Sequence, residues 1–360
     1  MLIMEKIIPY LVGFIIAFFA TIPVVNFSVP VLNDLWPWMV LVSGFFGFLT
    51  LFINTNLVVK IVAVGGFINC FLAFSPFLAF VSYFSLIAVC YFFILCTKIK
   101  DWSPVFKCLL AILFLNVLML TMQGFGRDPI NNFGMTNAVY VGLIGQSMQT
   151  ASMFVVLSAF LISCSRLNLI FSLLASVICL SVWGVACGFA GWLSIAFNES
   201  KKKALIILAV AGIVFVAFGV SQHKFERNLS NLGRAGVWAK AIELANQRPL
   251  TGWGIGSFKY IFPIKSNMPT SFPWKTAHNF FIQLYFEAGF LSIVLAVTGI
   301  AILLSKLIGL GLINCVAGLV MIIANSLVHF PDRQIQTVLI LVAFVAYCIF
   351  MIKERNHGCQ

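Results

Sequence analysis

The residues best placed to do chemistry stand in one stretch, TAHNFFIQLYFEAGF, which runs from Thr276 into a long apolar segment. Thr276 is a fair helix N-cap, so His278 is expected in the first helical turn. The positive end of a helix disfavours imidazolium and would leave a neutral ring able to accept a proton. Asn279, Gln283 and Glu287 follow at intervals of four and form one polar stripe on an otherwise apolar helix. Glu287 would lie at membrane depth, where a carboxylate is a functional-site candidate. The stripe reads equally well as hydrogen bonding between helices that fixes a bundle. His278 alone divides evenly between a base and a structural residue; the basic segment beside it favours the base.

That segment, Ser221 to Ala277, is the only long polar stretch of the chain. It holds Lys224, Arg227, Arg234, Lys240, Arg248, Lys259, Lys265 and Lys275 against Glu226 and Glu243, a net +6 within a chain of +12. Two readings fit: a solvated loop near anionic headgroups, or a site for a polyanion such as a lipid diphosphate. Arginine suits the second, because its planar fork binds phosphate oxygens in pairs. From Arg234 to Gln247 the sequence RAGVWAKAIELANQ places Val237, Trp238, Ala241, Ile242 and Ala245 at helical spacing, and Pro249 should end that helix. Gly252, Gly254 and Gly256 then permit a tight turn. They make no dinucleotide fingerprint, since no strand precedes them. The outer acidic residues Asp34, Asp128, Glu226, Glu243 and Asp332 are scattered, so no Mg²⁺ site and no other metal or cofactor is expected.

The elements that must position these residues follow from composition. Of 360 residues, 62% are hydrophobic and 9% charged, with a mean hydropathy of +1.07. A soluble domain cannot hide that much apolar surface, so an all-α polytopic membrane protein is predicted. Spans are expected near 7–26, 36–54, 58–74, 77–97, 105–122, 138–163, 167–184, 186–198, 204–221, 279–300, 308–328 and 335–352, about twelve in all. The run 167–198 is too long for one upright helix, and a break is expected among Gly184, Gly188 and Gly191. With the N-terminus inside, the cytoplasmic segments collect Lys6, Lys60, Lys98, Lys100, Lys107, Arg166, Lys201 to Lys203, Lys306, Lys353 and Arg355, while the short outer loops hold Arg127 and Arg333. Residues 1–220 then form a bundle of about nine spans, 221–277 an outer loop, and 278–360 about three spans with a cytoplasmic tail. The first apolar stretch reads as a span rather than a removed leader. The ten cysteines show no CxxC pair and no metal spacing, and they imply no disulfide framework.

The block from Arg234 to about Ser292 resembles the O-antigen ligase superfamily of bacterial membrane glycosyltransferases: O-antigen ligases, O-antigen polymerases and protein O-oligosaccharyltransferases. It carries an Arg-x-x-x-Trp entry, a Pro-Leu-x-Gly-x-Gly-x-Gly-Ser-Phe turn, and His278-Asn279 with Gly289 after nine intervening residues. Ser292 stands where the family pattern expects another glycine. Arg127 and the NNFGMTN stretch ending at Asn137 resemble the family's outer segment before its middle spans. A Ser-Arg-Gly-type motif expected at a later span is absent; the region reads CGFAGWLSIAF, with Cys187, Gly188 and Phe189. Either Arg127, Arg227 or Arg333 stands in for that arginine, or the charge arrangement differs.

The resemblance implies a GT-C-like bundle that transfers a glycan from undecaprenyl diphosphate to an acceptor hydroxyl, without metal or cofactor, at the outer face of a bacterial inner membrane. It implies Arg234 at the diphosphate and His278 as base, with Asn279, Gln283 and Glu287 contacting substrate or supporting the base. Arg127, Arg227, His329 and Arg333 would border the site, although the segment HFPDRQ reads equally as a turn shaped by Pro331. A ligase joining O-antigen to lipid A-core is the first reading and a repeat-unit polymerase the second. The partners are the lipid-linked donor, the lipid A-core or glycan acceptor, and membrane lipid; nucleic acid is not expected. Two other classes compete. A transporter or flippase would usually show inverted repeats and midplane charges, for which Glu287 is nearly the sole candidate. An assembly protein would not need a basic loop joined to a helix headed by histidine.

Overall fold

A computed structural model of the chain describes residues 2–21, 60, 64, 67, 76–125, 147–163, 170, 182–221, 233–268, 274, 276–328 and 335–357. Among these residues every regular element is a helix. In chain order they are α1 Leu2–Thr21, α2 Pro76–Cys96, α3 Ser103–Gly124, α4 Ser147–Leu161, α5 Val182–Glu199, α6 Lys201–Ser221, α7 Arg234–Ala245, α8 Phe258–Lys265, α9 Phe280–Gly309, α10 Ile313–Val328 and α11 Ile335–His357. Among the described residues three stretches are long and apolar enough to cross a membrane: Ser103–Gln123, Phe280–Gly309 and Thr337–Asn356. Shorter apolar helices cover Lys6–Ala17, Tyr83–Cys96, Thr150–Leu161 and Ile313–Val328. Apolar helices with apolar outer faces are compatible with a membrane protein, in which lipid covers them. Phe114 is 66% exposed and Leu295 65% exposed.

The bundle is built around α4, which is buried on every side from Thr150 to Ile162 and therefore apolar all round. It packs against α3, α5, α10 and α11. Phe160 sits at the centre of an aromatic cluster with Trp102, Phe106, Phe344 and Tyr347. One polar link crosses this core, Asn325 Nδ2 donating to Ser152 Oγ at 2.8 Å. Such bonds between spans recur because lipid offers no alternative partner.

Several boundaries differ from expectation. The break anticipated among Gly184, Gly188 and Gly191 is absent: α5 runs unbroken through all three and ends at Glu199. Packing against α6 and α10 offsets the weak helix preference of glycine there. The span expected at 279–300 continues to Gly309, and the next begins at Ile313 rather than 308. The turn between them is made by Gly311 at φ 67°, a left-handed position natural to glycine. The expected spans 36–54 and most of 58–74 and 167–181 lie outside the described residues.

Candidate functional site

The basic segment is folded onto the start of α9 around a second apolar cluster. Val237, Ala241, Leu244 and Ala245 of α7, Phe258 and Phe262 of α8, Ala277 and Phe286 form it. Phe258 stacks on Phe262 at 4.6 Å and meets Phe286 edge-on at 4.9 Å. The apolar positions of RAGVWAKAIELA place α7 as the spacing predicts, although it closes at Ala245, two residues before the expected end. Helix α8 was not expected; it is short, carries Pro263 and has no periodic run long enough to announce it.

Arg234 opens α7 at its first turn and is 6% exposed. Its Nη1 donates to the carbonyl of Val328 at 2.9 Å, at the last residue of α10. Asn279 Nδ2 donates to the neighbouring Leu327 carbonyl at 2.9 Å. Two donors from separate elements thus occupy the end carbonyls of one helix, where a cation also meets the negative end of the dipole. One turn after Arg234, Trp238 Nε1 donates to the carbonyl of Ala277 at 2.7 Å and fixes the residue before His278. The Arg-x-x-x-Trp spacing therefore holds α10 with one side chain and the histidine segment with the other.

His278 does not lie in the first turn of α9. Asn279 is the N-cap, extended at φ −152°, and its Oδ1 accepts from the Ile282 amide at 3.1 Å. Asparagine caps better than threonine, which moves the helix start past Thr276 and His278. His278 precedes the helix with φ 54°, a left-handed backbone that costs about 1–2 kcal/mol for a residue with Cβ. Its ring meets Trp274 edge-on at 5.5 Å. Its neutrality has a different origin from the helix end: burial first, and the Arg234 charge second, push its pKa down to about 3.

The polar stripe is engaged with the protein along its length. Gln283 Oε1 accepts from the Ala277 amide at 3.2 Å, and its Nε2 donates to Glu287 Oε1 at 3.1 Å. Glu287 accepts from the amides of Gly256 at 2.8 Å and Phe258 at 3.3 Å. The carboxylate, 3% exposed, anchors the glycine turn through backbone N–H groups. Asn279, Gln283 and Glu287 thus form a chain of hydrogen bonds from α10 through the histidine segment to the glycine turn.

Below Glu287 the helix opens. Gly289 sits at φ 79°, ψ −179°, a region open to glycine alone. The ladder bond of α9 that Phe290 would give to Phe286 is exchanged: Phe290 N donates to Pro249 O at 2.7 Å, and Trp253 N donates to Phe286 O at 2.8 Å. Gly254 N donates to Glu287 O at 2.9 Å. A Cβ on Gly252 would stand 2.5 Å from the Glu287 carbonyl carbon, and one on Gly289 would collide with the Leu250 carbonyl. The Pro-Leu-x-Gly-x-Gly-x-Gly turn and Gly289 are two halves of one junction between loop and membrane helix.

Arg234, His278, Asn279, Gln283 and Glu287 are brought together at one end of the bundle. Arg127, Arg227, His329 and Arg333 lie outside the described residues, although His329 directly follows the Val328 that Arg234 holds. Sequence reasoning missed Trp238 and Trp274 as supports of His278. The tryptophan one turn after Arg234 was visible; its partner 39 residues away was not. Among the described residues no group of three His, Cys, Asp or Glu side chains gathers to hold a metal ion.

No curated protein matches the sequence. The family model described as O-antigen ligase matches residues 139–297, the segment that carries Arg234, the glycine turn, His278 and Gly289. Over that segment, somewhat less than half of its length, the chain is similar to the O-antigen ligase family.

Proposed function

We propose that this protein transfers a glycan from undecaprenyl diphosphate to an acceptor hydroxyl at the outer face of a bacterial inner membrane, as an O-antigen ligase. The observation that carries the reading is the pairing of a buried arginine with a neutral histidine at the end of an apolar bundle. In the transfer the acceptor oxygen attacks the anomeric carbon and the bond to the diphosphate breaks. Arg234 stabilises the charge that grows on the leaving diphosphate. His278 takes the hydroxyl proton. Asn279, Gln283 and Glu287 act as positioning residues, since their hydrogen bonds fix the histidine segment against α10 and the glycine turn.

A base held near pKa 3 is weak, because proton transfer is best driven near the working pH. The donor corrects this in the proposed scheme. Its diphosphate offsets the Arg234 charge and raises the basicity of His278, so the base becomes competent when the donor is in place. The outer-face loop sits at the membrane surface in this reading: exposed Leu250 adjoins exposed Phe290 and Leu291, the first lipid-level residues after the junction. The account keeps about twelve spans, with the loop between the ninth and tenth and both termini cytoplasmic.

A polymerase of the same superfamily would use the same chemistry on a growing glycan. Chemical typing of lipopolysaccharide in a deletion strain separates the two. Complete core lacking all O-antigen is the expected outcome, whereas core capped with a single repeat unit would assign the chain to polymerisation.

A further inference from the structure

An apolar groove of about 760 Å³ runs between α9, α10 and α11, from the His278 end of the bundle to the opposite end. Phe281 lines it near the site end, Gly299, Leu303 and Ile349 along its length, and Lys306 and Lys353 at the far end. No acidic side chain lines it. Both lysines are exposed, and among the described residues no carboxylate pairs with either. Lys306 also lies in the last turn of α9. We propose that the groove binds one acidic glycerophospholipid of the cytoplasmic leaflet, its phosphate between Lys306 and Lys353 and an acyl chain along Gly299 towards Phe281.

Charge decides the occupant. A basic pocket between spans on the cytoplasmic side matches an anionic headgroup at that depth. A polyprenyl tail anchored at Arg234 would enter from the opposite end and lay its hydrocarbon terminus between two ammonium groups, with no anion to meet them. A zwitterionic lipid would bring its own cation to the same place. The groove also has room to be tested: a Cβ on Gly299 meets no atom within 4 Å.

The test is native mass spectrometry of the full chain released from micelles with equal phosphatidylglycerol and phosphatidylcholine. The wild type should retain one phosphatidylglycerol. The double variant Lys306→Gln/Lys353→Gln should lose that preference by about thirtyfold, as two surface-level cations are removed. Gly299→Leu should lose the retained lipid while keeping both lysines, which separates groove occupancy from diffuse attraction. Unchanged phosphatidylglycerol retention in either variant overturns the proposal. So does displacement of the retained lipid by undecaprenyl phosphate at equal concentration, which would give the groove to the donor's tail.

Discussion

At the scale of single residues, the surroundings of His278, Arg234 among them, set its basicity. Burial disfavours the imidazolium and the Arg234 charge adds to the effect, pushing the pKa of His278 down to about 3 in the empty site. Once protonated it cannot act as a base, so activity falls as pH drops through whichever pKa applies. In kcat/KM that is the pKa of the free protein; in kcat it is the pKa of the donor complex. The donor's diphosphate should raise the second above the first. Initial rates at limiting and saturating donor across about pH 4 to 8 should therefore show an acidic limb in kcat while kcat/KM stays flat, its own limb lying lower, near pH 3. Coincident limbs would disconnect donor binding from the basicity of His278.

At the scale of elements, the junction at Gly289 joins the loop to the membrane helix. Gly289→Ala should cost about 1–3 kcal/mol from backbone strain alone, before the clash with Leu250 is relieved. Gly299→Ala, in the same helix with open space around it, should be neutral or slightly stabilising. Thermal unfolding of both variants in detergent makes the comparison; equal melting temperatures would mean the junction bears no load. The charged residues of the site were legible in the sequence because charge is rare in an apolar chain and a helical spacing brings Arg234 next to Trp238. The junction was not. After Glu287 the run Ala288 to Leu291 carries no break signal beyond a single glycine, and the exchanged bonds go to Pro249 and Trp253, more than 30 residues away. For the same reason the N-cap was placed at Thr276: a local pattern ranks caps, but the 2.9 Å bond from Asn279 to Leu327 helps fix which one is used.

At the scale of the whole molecule, the bundle has two unlike ends. The start of α9, the end of α10 and Arg234 share one. The other holds the end of α11, where Tyr347 and Phe350 meet Trp102 at the head of α3, beside Lys98, Lys100 and Lys107. The proposed orientation rests on the lysines of the short loops at that end, since long loops cross largely regardless of charge. In a cysteine-free background and intact spheroplasts, an impermeant thiol reagent should label Ile255→Cys, on the exposed glycine turn, and spare Lys202→Cys; the reverse pattern would invert the proposed orientation. The central claim, that His278 is the base of a glycan transfer, is tested most directly in proteoliposomes with purified undecaprenyl-diphosphate-linked donor and acceptor. His278→Ala should accumulate normally and lose 10²-fold or more of the transfer rate, about the contribution of a general base. A variant that kept more than about a tenth of the wild-type rate would show that His278 is not that base.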